Sequence, residues 1–289
     1  MTAASFLEQH MYDVYPAKSV VAAIDGSHAA VDAAVWVAHE AVDRDVPLRI
    51  LYIIGERDFS PKTREAALVA AKAAYAAVKA ACGQLEVEME IVHGDVIETL
   101  VELSRSASLL SIGAPRDAAD TAQAEGIAAK VVASANCSVA IIREHDPATQ
   151  RRCGMIVALL DESCDDCEVL QQAMDEARLR HAPLRVVHTC VNGLAGVGSG
   201  QAPVQAAHNH EVSDRPLPAW TRRYPEPPPG CVSLHEAFAE YVVRNAASID
   251  LVVVGDDRSN DIAQLVGPGS SPTLRNSGIG VLVVNHQHL

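Results

Sequence analysis

Gly113 and Gly126 stand thirteen residues apart in SIGAPRDAADTAQAEGIAAK, residues 111–130, with Arg116 between them. A phosphate is held by backbone N–H groups that approach it closely, and glycine permits that approach because no Cβ intervenes. An arginine adds a planar, bidentate fork. These residue types therefore read as an anion cradle leading into an alanine-rich helix. The competing reading keeps Gly113 as a turn residue, Gly126 as a helix-start residue, and Arg116 with Asp117 as a solvated loop pair.

Other residues offer different chemistry. Cys164-Asp-Asp-Cys167 is a CxxC at the start of an expected helix, where the helix N-terminus lowers thiol pKa. The two acidic residues between the cysteines oppose that effect, and Cys167 also reads as a small buried substitute for Val31 of an earlier, similar segment. A structural metal site would need a second pair of matching spacing, and the sequence has none. His208 and His210, with His188, are candidate transition-metal ligands, or else solvated loop residues. Ser27 and Ser163 have no histidine partner: His28 adjoins Ser27, but adjacent residues on a helix do not face each other. No catalytic constellation follows, and the chain is not expected to be an enzyme.

These groups must be positioned by a chain of 289 residues, long enough for two domains of ordinary size. The hydrophobic fraction of 49% allows a large core, and with aromatics at only 4% that core is mostly alanine and aliphatic residues. A formal charge of −14 argues against direct binding to nucleic acid or to an anionic membrane surface. Any bound anion must be held by local backbone dipoles against that field. The opening MTAASFLEQHMYDVYPAKS has neither the basic start nor the apolar centre of a secretory signal, and no apolar run reaches the roughly 18 residues of a membrane span. The expected location is cytoplasmic. Seven cysteines, an odd number, argue against a disulfide framework there.

The sequence repeats itself. VVAAIDGS at 20–27 matches IVALLDES at 156–163, and VPLRILYI at 46–53 matches APLRVVHT at 182–189, both at an offset of 136. ASLLSIGAP at 107–115 matches IDLVVVGDD at 249–257, and SVAIIR at 138–143 matches GVLVVN at 280–285, now at 142. A period this long signals duplicated domains. Within the first copy, strands at 19–24, 48–54, 85–92, 108–112 and 138–142 alternate with helices at 28–45, 62–82, 95–106 and 121–135, with Ser27 and Asp95 as caps. Continuous apolar strands alternating with helices predict an α/β fold: two tandem Rossmann-like domains, each a five-stranded mostly parallel sheet with helices on both faces. The second copy reads as strand 155–160, helix 165–181, strand 184–190, a Gly-rich loop at 191–212, a shortened second helix near 215–224 carrying a Trp220–Tyr224 core pair, then PEPPP, strand 231–234, helix 235–247 and strand 250–254. Domain 1 spans 1–145 and domain 2 spans 153–289, with a linker at about 144–152.

Strand–Asp-Gly-Ser–helix, then the PLR strand, then a strand with a glycine-bearing loop, taken together in AIDGSHAAVDAAVWVAHEA and PLRILYI, resembles the universal stress protein family. The two copies resemble its tandem actinobacterial form, including the mycobacterial type. The resemblance implies the adenine nucleotide alpha hydrolase-like fold and a regulatory role in stress or dormancy. In ATP-binding members the loop reads Gly, two residues, Gly, nine residues, then Gly and a hydroxyl residue. Here the first copy aligns Gly113, Arg116, Gly126 and Ile127 with that pattern. The second aligns Gly255, Arg258 and Pro268, with Gly267, Gly269, Ser270 and Ser271 around the last position. The acid near the adenosine corresponds to Asp25 and Asp161, and the apolar wall after the second strand to Ile53 and Thr189. ATP is the implied cofactor. Mg²⁺ is expected only together with it, because Asp256, Asp257 and Asp261 would otherwise repel a polyphosphate.

Three functions follow as expectations. The first is a non-catalytic regulator acting through an unidentified protein partner, its nucleotide sites degenerate. The second is an ATP-binding stress sensor using either domain or both. The third is a thiol redox protein working through Cys164 and Cys167. By the same resemblance the last strands, SVAIIR and GVLVVN, pair with each other within the chain or across a homodimer.

Overall fold

Strands in which successive residues are all apolar must be covered on both faces, and the structure meets that demand twice. The computed structural model describes residues 19–56, 58, 60–115, 118–144, 154–160, 168–189, 230–234, 236–267 and 269–285. The chain divides between residues 145 and 146 into two units.

Unit 1 runs β1 (Ser19–Ile24), α1 (His28–Asp43), β2 (Leu48–Ile54), α2 (Pro61–Ala81), β3 (Val87–His93), α3 (Val96–Ser104), β4 (Ala107–Ala114), α4 (Ala118–Val132) and β5 (Ser138–Arg143). Its strands lie in the order β3-β2-β1-β4-β5, all parallel. Helix α1 packs on β1, β4 and β5 and against α2, while α3 packs on β2 and β4 and against α4. Val20, Leu48, Ile50, Leu109 and Leu110 are each 0% exposed, and full burial of such a side chain contributes roughly 1.5–3 kcal/mol. The expected caps are in place. Ala30 N donates to Ser27 Oγ at 3.2 Å, and the N–H groups of Ile97 and Glu98 donate to Asp95 Oδ1 at 2.9 and 3.0 Å.

Unit 2 runs β6 (Met155–Leu160), α5 (Glu168–Arg180), β7 (Leu184–Thr189), β8 (Gly230–Leu234), α6 (Phe238–Arg244), β9 (Ile249–Gly255), α7 (Ser259–Val266), α8 (Pro272–Asn276) and β10 (Gly280–Val284). The strand order is β10-β9-β6-β7-β8, again parallel. The sequence offsets reappear as register. Val20 pairs with Leu48 and Leu109 in unit 1, and Ile156, 136 residues on, pairs with Leu184 and Leu251 in unit 2. Both central pairs carry an irregularity at the same place, before Val20 and before Ile156. The duplication extends to buried charge. Glu40 and Glu176, also 136 apart, are 3% and 1% exposed. Each pairs with an arginine one turn on, Arg44 and Arg180.

Two differences from the sequence reading matter. First, α4 starts at Ala118, not 121, so Gly126 lies well inside it. Second, unit 2 has two short helices, α7 and α8, where no helix was expected; eight and five residues are too few to display a helical period. The described core of unit 2 also holds Phe238 and Tyr241, 0% and 1% exposed with ring centroids 6.4 Å apart. The expected helix at 215–224 with Trp220 and Tyr224, the PEPPP run, and His208 and His210 lie outside the described residues.

Gly113, near the end of β4, lies against the first turn of α1. A Cβ there would sit 2.5 Å from the carbonyl carbon of Ala29 and 2.6 Å from its oxygen, and would collide with Ala30 N. Backbone atoms cannot swing aside. Gly113→Ala is therefore expected to lower stability by about 1–3 kcal/mol in urea denaturation, while Gly269→Ala, which opens into free space, changes it by less than about 0.5 kcal/mol. Equal effects at the two positions would refute the packing argument.

Candidate functional site

The strand order of unit 1 reverses between β1 and β4, and ligands of open α/β sheets bind outside the carboxyl ends of strands at such a point. A cleft of about 520 Å³ opens there, within the range of small-molecule sites. Its floor and walls include Ile24, Ile53, Leu100, Ile112 and Ile127, an apolar slot. Asp25, Tyr52 and Asp58 supply the polar and charged side chains besides Ser27 among the described lining residues.

Each polar group is placed by a local device. Asp25 follows β1, and Ser27 N donates to its Oδ1 at 2.8 Å. Gly26, at φ 93°, makes the turn that brings the two together. Ser27 then caps α1. Asp58 N donates to Gly55 O at 3.0 Å in the turn after β2, and a Cβ on Gly55 would lie 3.2 Å from Asp58 Oδ2. Burial, and then the neighbouring Asp25 carboxylate, raise the Tyr52 phenol above its ordinary pKa.

Of the residues singled out from the sequence, Asp25, Ile53 and Gly113 meet in this cleft, and Ile127 joins them. Arg116 lies outside the described residues. Gly126 does not line the cleft as the start of a cradle. It sits within Ala118–Val132, and a Cβ there would meet nothing within 4 Å. An α-helix commits the N–H of each residue to the carbonyl four before it, leaving only the first four donors free. From about residue 122 onward the donors of α4 are so committed. The described residues therefore do not fit a triphosphate at Gly126, because the helix began too early. Sequence reasoning missed Tyr52, Asp58, Val96 and Leu100. Tyr52 lies near the end of β2 and Asp58 follows it, while Val96 and Leu100 lie on α3, so the rule that strand carboxyl ends converge on such a site was the usable signal.

The corresponding position in unit 2 is built differently. Gly255 ends β9 and is buried. Arg258 Nη2 donates to Leu160 O at 3.1 Å, across from the end of β9 to the end of β6, and Arg258 Nη1 stands 3.8 Å from Asp261. Gly267 closes α7: a Cβ there would strike Ala263 O. Ser270 is 3% exposed and accepts from Arg275 Nε at 3.3 Å, and Ser271 caps α8, accepting from Leu274 N at 3.3 Å. The residues expected to form a slipped cradle thus have packing and capping work. Gly269 and Ser271 also line a groove with Ala239, Val243, Gln264 and Leu274 on α6, α7 and α8. Asp161, Cys164, Cys167 and Pro268 lie outside the described residues, as does the side chain of Thr189.

Among the described residues no group of three or more His, Cys, Asp or Glu is placed to hold a metal, and no helix is long and apolar enough to cross a membrane. The described free cysteines, Cys82 and Cys137, are not activated. Burial raises the thiol of the first and pushes that of the second up to about 12.

The sequence model of the universal stress protein family matches residues 16–143. The chain is 35% identical to universal stress protein Rv2028c of Mycobacterium tuberculosis over 285 residues, 94% of this chain and 97% of that one. It is 29% identical to universal stress protein Rv2624c of the same organism, over 92% and 96% of the two chains. A crystal structure of a universal stress protein from Archaeoglobus fulgidus aligns with a TM-score of 0.64 over 94% of this chain and 98% of its own, at 15% identity, a likeness of fold.

Gly126→Ala separates a helical glycine from a phosphate-cradling one. Helical placement predicts a gain of about 0.5–1 kcal/mol in unfolding free energy. A loss of stability would place Gly126 in a conformation that alanine cannot adopt.

Proposed function

The chain belongs to the universal stress protein family, and from that premise we propose that it is a non-catalytic regulator of a stress or dormancy response whose protein partner is engaged according to whether a small adenine-based ligand fills the unit 1 cleft. The observation that carries this reading is the asymmetry of the two switch points. Unit 1 presents an apolar slot with Asp25, Tyr52 and Asp58 at hand, whereas in unit 2 Arg258 reaches across to the β6 carbonyl. In this reading the ligand acts by shifting a population of conformations and not by being consumed.

The site sits where ligand and partner can communicate. Asp25 and Ser27 immediately precede α1, Ser27 as its cap, and α1 packs on β1, β4 and β5. A ligand held there bears on the helix that spans most of the sheet. Each unit's own strand order ends on its last strand, β5 or β10, and the expected association, within the chain or between two chains, would extend the sheets from there.

The reading is tested by mass spectrometry of small molecules that co-purify with the full chain, together with thermal shift against adenine, adenosine, AMP and ATP. A ligand at about 100 times its Kd stabilises the folded chain by roughly 2.7 kcal/mol. That stabilisation should vanish in Ile53→Asp, which places a charge in the apolar slot. Absence of any co-purifying compound, and of any shift at millimolar concentration, would reject the ligand and leave only the partner-binding role.

A further inference from the structure

A polar side chain that lines a cleft without a protein partner is a place for a ligand to bond, because covering it unpaired costs free energy. Tyr52 is such a group. It is the one aromatic among the described lining residues of the unit 1 cleft, and it is half-buried. Its hydroxyl has no hydrogen-bond partner among the described residues. The backbone beneath it is held on both sides, since Tyr52 pairs with Ile24 of β1 and with Ile91 of β3. A doubly paired strand and not a loop therefore presents the ring, which is how a scaffold keeps a recognising group in one place.

Burial, and then the neighbouring Asp25 carboxylate, keep the proton on this phenol. A negative charge nearby draws the O–H proton towards itself, so the lone pairs of the oxygen are left for anything else in the cleft. Those lone pairs suit an N–H donor. The aliphatic walls, Ile24, Ile53 and Ile112 among them, take the faces of a flat ring and leave its polar edge to the hydroxyl. Taking the cleft as the adenine-compound site argued above, we infer that Tyr52 is its specificity-determining residue: the hydroxyl oxygen accepts from an exocyclic amine and so selects a 6-amino purine over a 6-oxo purine. A 6-oxo purine brings a carbonyl oxygen to the place of the amine and sets two acceptors against each other.

Isothermal titration of the full chain with two pairs of compounds, adenosine with inosine and AMP with IMP, decides the matter. The wild-type chain is expected to bind the 6-amino member of each pair roughly tenfold more tightly. Tyr52→Phe keeps the ring and removes only the oxygen. It should cut that preference by about fivefold, through weaker binding of the 6-amino compound and not of its 6-oxo counterpart. The ligand-free Tm should match the wild type, because the hydroxyl has no partner among the described residues. Tyr52→Leu, which removes the ring as well, should lose the same preference. A preference that survives in Tyr52→Phe, or a wild-type chain that binds both members of a pair equally, overturns the inference and keeps the cleft as a ligand site. A lowered ligand-free Tm in Tyr52→Phe makes the hydroxyl a structural group and overturns it as well. Binding of none of these compounds removes the ligand site argued above, and this inference with it.

Discussion

The contact between Gly113 and the first turn of α1 organises unit 1. Helix and strand approach so closely there that a single Cβ would overlap backbone atoms of Ala29 and Ala30. The approach requires small side chains on the helix, and Ala29, Ala30, Ala33 and Ala34 are each no more than 2% exposed. Ser111, one alternation earlier on β4, adds a hydrogen bond from its hydroxyl to Ala33 O at 3.1 Å. With α1 held this way, its N-terminus is aimed at the carboxyl ends of β1 and β4, and Asp25 and Ser27 are placed at the mouth of the cleft. A glycine that looks like part of a phosphate loop is thus needed whether or not phosphate ever binds.

The two units show how one architecture is put to two uses. The pairing registers and the buried Glu40 and Glu176 pairs are duplicated, so the scaffold was copied with its internal charges. The ends of the strands were not kept alike. Unit 1 closes its sheet with one long helix after β4, and unit 2 with two short helices joined through Gly267 and Ser270. In unit 2 a guanidinium spans the point where the strand order reverses. Divergence is concentrated where loops carry function and where the core tolerates change.

A parallel sheet that is buried on both faces leaves only its loop ends to differ. In unit 1 the described ends carry carboxylates, a phenol and aliphatic walls. In a chain of formal charge −14, anion binding needs a dedicated set of free donors. At the start of α1 the Ala30 N–H is taken by the Ser27 hydroxyl, and the Ser27 N–H by Asp25. What the cleft accepts is set by these loop ends and not by the sheet beneath them.

The sequence was sufficient for the fold class, the duplication and most elements. Apolar periodicity and the offsets of 136 and 142 are local or self-referential signals, and burial on both faces leaves them few alternatives. The caps Ser27 and Asp95 were legible for the same reason, since a cap acts within one helical turn. Asp25, Ile53 and Gly113 were singled out through the family resemblance, and the structure brings the three to one cleft. Gly126 was misread, because the start of α4 depends on how far residues 118–125 are drawn into the helix, which spacing does not reveal. Tyr52 and Asp58 reach the same cleft as Asp25, and Arg258 reaches Leu160 across 98 residues. Such meetings are set by which strands lie side by side, a consequence of packing the whole sheet that no window of sequence contains.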